Sequence, residues 1–237
     1  MFPKISLFNF NISTYALAFG IGIIFDFLLL VYIKKLFNVN KLDVICCFSY
    51  WLISIFLGAK LFYIIENINL FLDGEFEILD GGFSFTGGII GGFLGIFLYC
   101  KQYKLRYKDL SQVYVVTFPL VYSFGKIGCF MAGCCKGVGE IPLQLIEALA
   151  SFIIFLYVLI KIKDNSIMYK YLVLYSITRF AFDFLRESRN IVFTNLTITQ
   201  LVCILLIILT ILVYFISKKD IKNFSEIREE KVRNTKA

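Results

Sequence analysis

Long apolar runs recur from one end of this chain to the other, each about the 17 to 25 residues that a helix needs to cross a lipid bilayer. Seven can be read, at about 14–33, 44–65, 84–100, 111–126, 142–160, 170–186 and 196–217. Inside lipid a backbone must satisfy its own hydrogen bonds, so segments of this kind are expected to be helices. The short alternating strands of an outer-membrane barrel are missing from the pattern. With 59% hydrophobic residues, the 237-residue chain lies outside the soluble range. The expected fold is an all-α, polytopic integral membrane protein of seven transmembrane helices. It forms one membrane domain over 1–217 and carries a basic tail over 218–237. The first run lacks a basic leader and a small-residue cleavage site, so it reads as a retained helix.

Charge sets the expected orientation. The segments joining spans 1–2, 3–4 and 5–6, with the tail, hold 17 of the 24 Lys and Arg residues. Short basic segments stay in the cytoplasm, which predicts an outward N-terminus and a cytoplasmic C-terminus. The loop after the second span agrees, carrying Glu66, Asp73, Glu75, Glu77 and Asp80 without a basic residue. The tail reads as a positive-inside anchor, and no nucleic-acid partner is expected.

The chain contains no histidine, which excludes imidazole acid/base catalysis and histidine metal ligands. Chemistry is left to carboxylates, amines, guanidinium groups, tyrosines and thiols. Of the seven cysteines, Cys46, Cys47, Cys100 and Cys203 lie in or at the ends of apolar runs, where cysteine behaves as a small hydrophobe. Cys129, Cys134 and Cys135 cluster in "CFMAGCC". Without a second pair or a histidine this is a weak metal motif, so a disulfide or close packing is expected, with no metal and no cofactor.

Ionisable groups inside a span are costly and face a partner or a cavity. In "TRFAFDFLRE", the spacing puts Arg179, Asp183, Arg186 and Glu187 on one helical stripe near the outer end of the sixth span. Such a stripe serves either as an interhelical salt-bridge ladder or as an anion site in which the arginines hold a phosphate. The third span opens with "GGFSFTGGIIGG", whose glycines allow close helix packing or expose amides to a ligand, with Ser84 and Thr86 at its mouth. Tyr15 lies near the outer interface, and Asp26 lies deeper with no evident role.

The stretch "SFGKIGCFMAGCCKGVGE" carries five glycines, Gly125, Gly128, Gly133, Gly137 and Gly139. It predicts that the fourth span ends there in a tight irregular turn, with Lys126 and Lys136 flanking a backbone-rich pocket suited to a lipid phosphate.

Taken in order, "STYALAFGIG", "GAKLFYIIE", "GGFSFTGGIIGG", "GKIGCFMAGCCKG", "PLQLIEAL", "TRFAFDFLRE" and "LTITQL" resemble the motifs of the prolipoprotein diacylglyceryl transferases, over about residues 12 to 217. The resemblance implies a seven-helix bacterial inner-membrane enzyme with its active site toward the outer face. Its partners would be phosphatidylglycerol, a secreted prolipoprotein with a lipobox cysteine, and the surrounding membrane lipid. The reaction would move the diacylglyceryl group to the cysteine thiol and release glycerol phosphate.

It further implies catalytic roles for Tyr15, Arg179, Asp183 and Glu187. Lys60, Ser84, Thr86, Gly87, Gly88, Lys126, Cys129, Gly137, Gln144 and Arg186 would contact substrate. Gln144 and Glu147 match a family "QLYEA" element, with Ile146 in place of its tyrosine. The family's histidine is Thr86 here, its signature asparagine is Cys129, its signature glutamate is Cys134, and arginines become Lys60 and Lys126. Those departures keep two further expectations open: a divergent paralogue with another acceptor or donor, and a lipid- or anion-binding membrane protein without catalysis.

Overall fold

The structure, a computed structural model, describes residues 4–7, 10–37, 39–68, 72, 74, 82–187, 191–193 and 195–234. The acidic residues Asp73, Glu75, Glu77 and Asp80, and the basic Arg189, lie outside the described residues.

Among the described residues are seven long α-helices: α1 Thr14–Ile33, α2 Lys41–Glu66, α3 Phe85–Tyr103, α4 Tyr107–Ala132, α5 Leu143–Ile160, α6 Ile167–Asp183 and α7 Ile198–Asn234. Five of them, α1, α2, α4, α5 and α7, are long and apolar enough to cross a membrane. Glycine and a polar last turn dilute α3, while α6 is 17 residues long and carries Lys170, Arg179 and Asp183.

Burial runs opposite to that of a water-soluble domain. Leu28, Ile53, Leu57, Leu61, Leu149, Ile153, Ile208 and Leu212 point outward, whereas Thr14, Gln112, Thr117, Ser123, Gln144, Glu147 and Ser151 are buried. An apolar exterior around a polar interior is what lipid as solvent selects. The protein is an all-helical integral membrane protein.

α4 is buried along most of its length and forms the centre; α1 and α5 pack along it, α2 pairs with α3, and α6 pairs with α7. Glycine makes the α2–α3 pair possible. A Cβ on Gly91 would stand 2.2 Å from the Ser54 carbonyl oxygen, and one on Gly87 would stand 2.4 Å from that of Gly58. The dense glycines of the third span therefore act as a helix–helix seam. Two serines clamp α4 to α5: Ser123 donates to the Ala148 carbonyl (2.9 Å) and Ser151 to the Pro119 carbonyl (2.7 Å).

Hydropathy does not foretell two short antiparallel hairpins, β1 Lys4–Leu7 with β2 Phe10–Ser13, and β3 Ile191–Phe193 with β4 Leu196–Thr197. The first runs directly into α1 and the second into α7.

Two expectations change. α4 does not stop at the first glycines of the signature stretch but continues to Ala132, because Gly128 is used for contact: its Cβ would lie 3.1 to 3.2 Å from Ala18 and Tyr15 of α1. Lys126 consequently projects from a buried helix and does not flank a turn. At the other change, α6 ends at Asp183, so Arg186 and Glu187 lie beyond the helix and the expected four-residue stripe is broken.

Candidate functional site at one end of the bundle

Six of the seven helices, all but α5, contribute to a cavity of about 560 Å³ at one end of the bundle. Its wall is built from the starts of α1, α3 and α7 and the ends of α2, α4 and α6, through Tyr15, Glu66, Ser84, Lys126, Asp183 and Thr199 among others. The start of α5 stands behind this wall. The antiparallel alternation of the helices puts these ends together and carries the basic connections, around Lys34, Lys101 and Lys161, to the opposite end.

The serine clamps set the chemistry of the wall. Lys126 follows Ser123 by about one turn of α4, and Glu147 precedes Ser151 by about one turn of α5, so fixing the serines brings the two charges together. They form a buried ion pair. Glu147 also receives Arg179 at 3.2 Å and Arg186 at 3.6 Å, so one carboxylate with 1% exposure anchors three cations. A second carboxylate, Asp183, stands 3.8 Å from Arg179 and 4.0 Å from Arg186, and accepts a 2.5 Å hydrogen bond from Thr197. Lys126 additionally lies over the Tyr122 ring, 5.3 Å from its centroid. Three cations against two carboxylates leave the cluster one positive charge in excess. Lys126, Arg179, Arg186 and Asp183 line the cavity, while Glu147 supports them from behind.

Arg186 reaches this cluster from outside any helix because main-chain bonds hold it. α4 closes at Gly133, a left-handed glycine (φ 79°), and Cys134 N–H returns to the Cys129 carbonyl (3.1 Å). The loop then pairs with the segment after α6: Gly137 bridges Arg186, Val138 N–H donates to the Leu185 carbonyl (2.9 Å), and Glu187 N–H to the Lys136 carbonyl (3.1 Å). A Cβ on Gly137 would approach the Ile141 carbonyl oxygen to 2.9 Å, so the turn admits glycine. Gln144 secures the other side of the loop by donating to the Cys134 carbonyl at 2.6 Å.

Each residue expected from sequence can now be placed. Tyr15, Ser84, Lys126, Cys129, Arg179, Asp183 and Arg186 line the cavity. Ser84 caps the start of α3, its N–H donating to the Ala59 carbonyl (2.9 Å). Thr86, Gly87, Gly88, Lys60, Gly137, Gln144 and Glu187 stand off the wall. Thr86 is buried within 3.3 Å of the Tyr175 hydroxyl, Gly87 belongs to the α2–α3 seam, and Gly88 lies beside Ile55 and Ala59. Lys60 sits over the Tyr63 and Phe83 rings, which themselves line the cavity. Glu187 is exposed and is not on the cavity wall. Asp26 is buried in α1 beside Thr117, away from the cavity.

Sequence reasoning missed the central position of Glu147. Its signal was present, since a glutamate one turn from a glutamine inside an apolar span asks for partners. Glu66, which accepts from Thr199 at 2.8 Å, was likewise read as part of an acidic loop and not as cavity wall.

The Sγ atoms of Cys129, Cys134 and Cys135 lie within 4.8 Å of one another, and all three residues line the cavity. The Cys135 thiol is held well below its ordinary range, first by hydrogen bonding from Cys129 and Cys134 and then by the nearby charges of Lys126 and Arg186.

The family model for prolipoprotein diacylglyceryl transferase matches residues 4–216, nearly the whole membrane-embedded part. The chain belongs to the prolipoprotein diacylglyceryl transferase family. It is similar to phosphatidylglycerol–prolipoprotein diacylglyceryl transferase 2 of Clostridium perfringens, at 31% identity over 90% of this chain and 93% of that one. The Clostridium tetani transferase is 27% identical over 90% and 96% of the two chains, and that of Rickettsia bellii 28% over 95% and 99%. Membership makes the chain a transferase of a bacterial membrane family.

Proposed function

We propose that the protein transfers the diacylglyceryl group of phosphatidylglycerol to the lipobox cysteine thiol of a prolipoprotein and releases glycerol phosphate at the cavity wall. The observation that carries this reading is the trio of cations, Lys126, Arg179 and Arg186, on the cavity wall, in a cluster where they outnumber their partner carboxylates Glu147 and Asp183 by one. The acceptor sulfur attacks the glyceryl carbon next to the phosphate ester, forming the C–S bond as the C–O bond breaks. The electron pair leaves on the phosphate oxygen, so charge grows where the guanidinium groups stand. Asp183 takes the thiol proton, because of the two expected carboxylates it is the one on the wall. Tyr15, across the cavity at the start of α1, orients the lipid head group. Residues at the walls of the other helices, Ser84 and Cys129 among them, contact substrate, with Gly137 and Gln144 fixing the loop behind them.

In this reading all seven helices span the bilayer, α3 and α6 being sheltered by their neighbours. The N-terminus and the cavity face outward in a bacterial inner membrane, and residues 218–237 form a cytoplasmic basic tail. Support comes from the cavity lying at the end of the bundle opposite the basic connections.

The test is reconstitution with phosphatidylglycerol and a lipobox peptide, following glycerol phosphate release and peptide mass. A diacylglyceryl mass gain with the wild type and none with a folded Arg179→Gln variant is expected. Full activity in that variant overturns the assignment of the cations. No transfer by wild-type protein that is folded and binds the lipid moves the reading to a paralogue with another acceptor. That alternative draws on Cys129 and Cys134, which put thiols on the wall where the family has an amide and a carboxylate.

A further inference from the structure

None of the three thiols on the cavity wall makes or breaks a bond in the transfer just described, where Cys129 only contacts substrate, yet the fold goes to some length to bring them together. Cys129 lies in the last turn of α4, and the reversal at Gly133 returns the chain so that Cys134 N–H bonds the Cys129 carbonyl. Cys135 follows in the left-handed region at φ 58°, a conformation seldom held by a residue with a Cβ. Gln144 pins the Cys134 carbonyl, and the backbone bridge to Arg186 pins the other side of the loop. The sulfurs thus converge from a helix end and a fixed turn.

We propose that Cys129, Cys134 and Cys135 form a three-thiolate site for a thiophilic cation such as Zn²⁺, its fourth coordination position open to the cavity. A tetrahedral Zn²⁺ site with Zn–S distances near 2.3 Å needs sulfurs about 3.8 Å apart. Sulfurs already within 4.8 Å of one another reach that spacing by side-chain adjustments of about 1 Å. A disulfide would engage two of the three and leave the third without a purpose. The metal takes all three as thiolates, any thiol proton going to solvent, and three thiolates with a dication carry one net negative charge. Lys126 and Arg186, which line the same cavity, balance it. Spacing along the sequence undervalued the motif because it does not show that the chain turns back at Gly133. The open position would face whatever occupies the cavity, which is what distinguishes a site of this kind from a closed structural one.

The experiment is a Co²⁺ titration of the full-length protein in detergent, reduced and then stripped of metal with a chelator. Thiol counting first confirms that all seven cysteines are free. One equivalent of Co²⁺ per chain is expected, with thiolate-to-cobalt charge-transfer absorption and the visible bands of tetrahedral cobalt, all displaced by Zn²⁺. Cys129→Ser, Cys134→Ser and Cys135→Ser should each lose the charge-transfer band or weaken binding at least tenfold. Cys203→Ser, buried on α7, should leave it unchanged. No charge-transfer band in fully reduced wild type, or a band that survives Cys129→Ser, overturns the proposal. A disulfide joining two of the three in protein isolated without reductant does so as well. None of these readouts depends on lipid transfer, so the metal site and the transferase reading stand or fall separately.

Discussion

Lys126 of α4 and Glu147 of α5 form an ion pair with side-chain exposures of 7% and 1%, on the two helices that Ser123 and Ser151 clamp together. The pair is the hub of the cationic wall, because Arg179 and Arg186 share the same carboxylate. A buried charge left without its partner is far more costly than a pair replaced as a unit.

Glu147→Leu is therefore expected to destabilise the protein by about 3–5 kcal/mol. Adding Lys126→Met should recover part of that loss, since the strongest unpaired charge is then removed. Thermal unfolding in detergent measures both variants, and an unchanged midpoint in Glu147→Leu would show that the carboxylate is not the anchor of the cluster.

Arg186→Lys separates charge from shape. Lysine keeps the positive charge but loses the planar fork that reaches Glu147 and a phosphate together. Transfer should fall by at least about tenfold, about 1.4 kcal/mol in transition-state binding, while the protein stays folded. Equal kcat/KM in the two proteins would sink a role for the fork.

The glycine seam predicts a contrast inside one helix bundle. Gly91→Ala places a methyl group against the Ser54 carbonyl and should destabilise by about 1–3 kcal/mol. Gly20→Ala, with nothing within 4 Å of the new methyl, should leave the unfolding midpoint unchanged or raise it slightly. Identical behaviour of the two variants would rule out close backbone approach as the reason for the glycines.

At the opposite end of the bundle, hydrogen bonds from Lys170 and Ser166 hold the Asp164 carboxyl well below the usual carboxylate range. A depressed folded value contributes stability above the unfolded pKa of about 3.9, and that stability is lost as pH falls through the folded value. The carboxylate is partly exposed and its partner Lys170 exposed, so solvent screening keeps the effect small. Asp164→Asn should flatten the acid limb of the stability curve, and a limb of unchanged slope would exclude this pair as its source.

Much of the architecture could be read directly from hydropathy, because lipid forces each apolar run to be a helix and the positions of the runs follow. The ends of the elements were less legible. Gly125 and Gly128 looked like helix breakers, whereas in lipid a small residue is just as useful for letting α1 approach α4. The sequence places Arg179 and Asp183 on one face, but periodicity does not say which helix lies opposite, so Glu147 could be seen as polar without its partners being known. The meeting of the three sulfurs depends on a single left-handed glycine, and its effect is visible in three dimensions alone.

The loop after α4 is joined to the segment after α6 by main-chain groups, through Gly137 with Arg186, Val138 with Leu185 and Lys136 with Glu187. Main-chain bonds are indifferent to side-chain identity. Apart from its glycines, the loop can therefore change its side chains, Cys134 and Cys135 among them, while the guanidinium of Arg186 keeps its address. Such a join leaves the rim of the cavity free to vary without moving the cation that stands behind it.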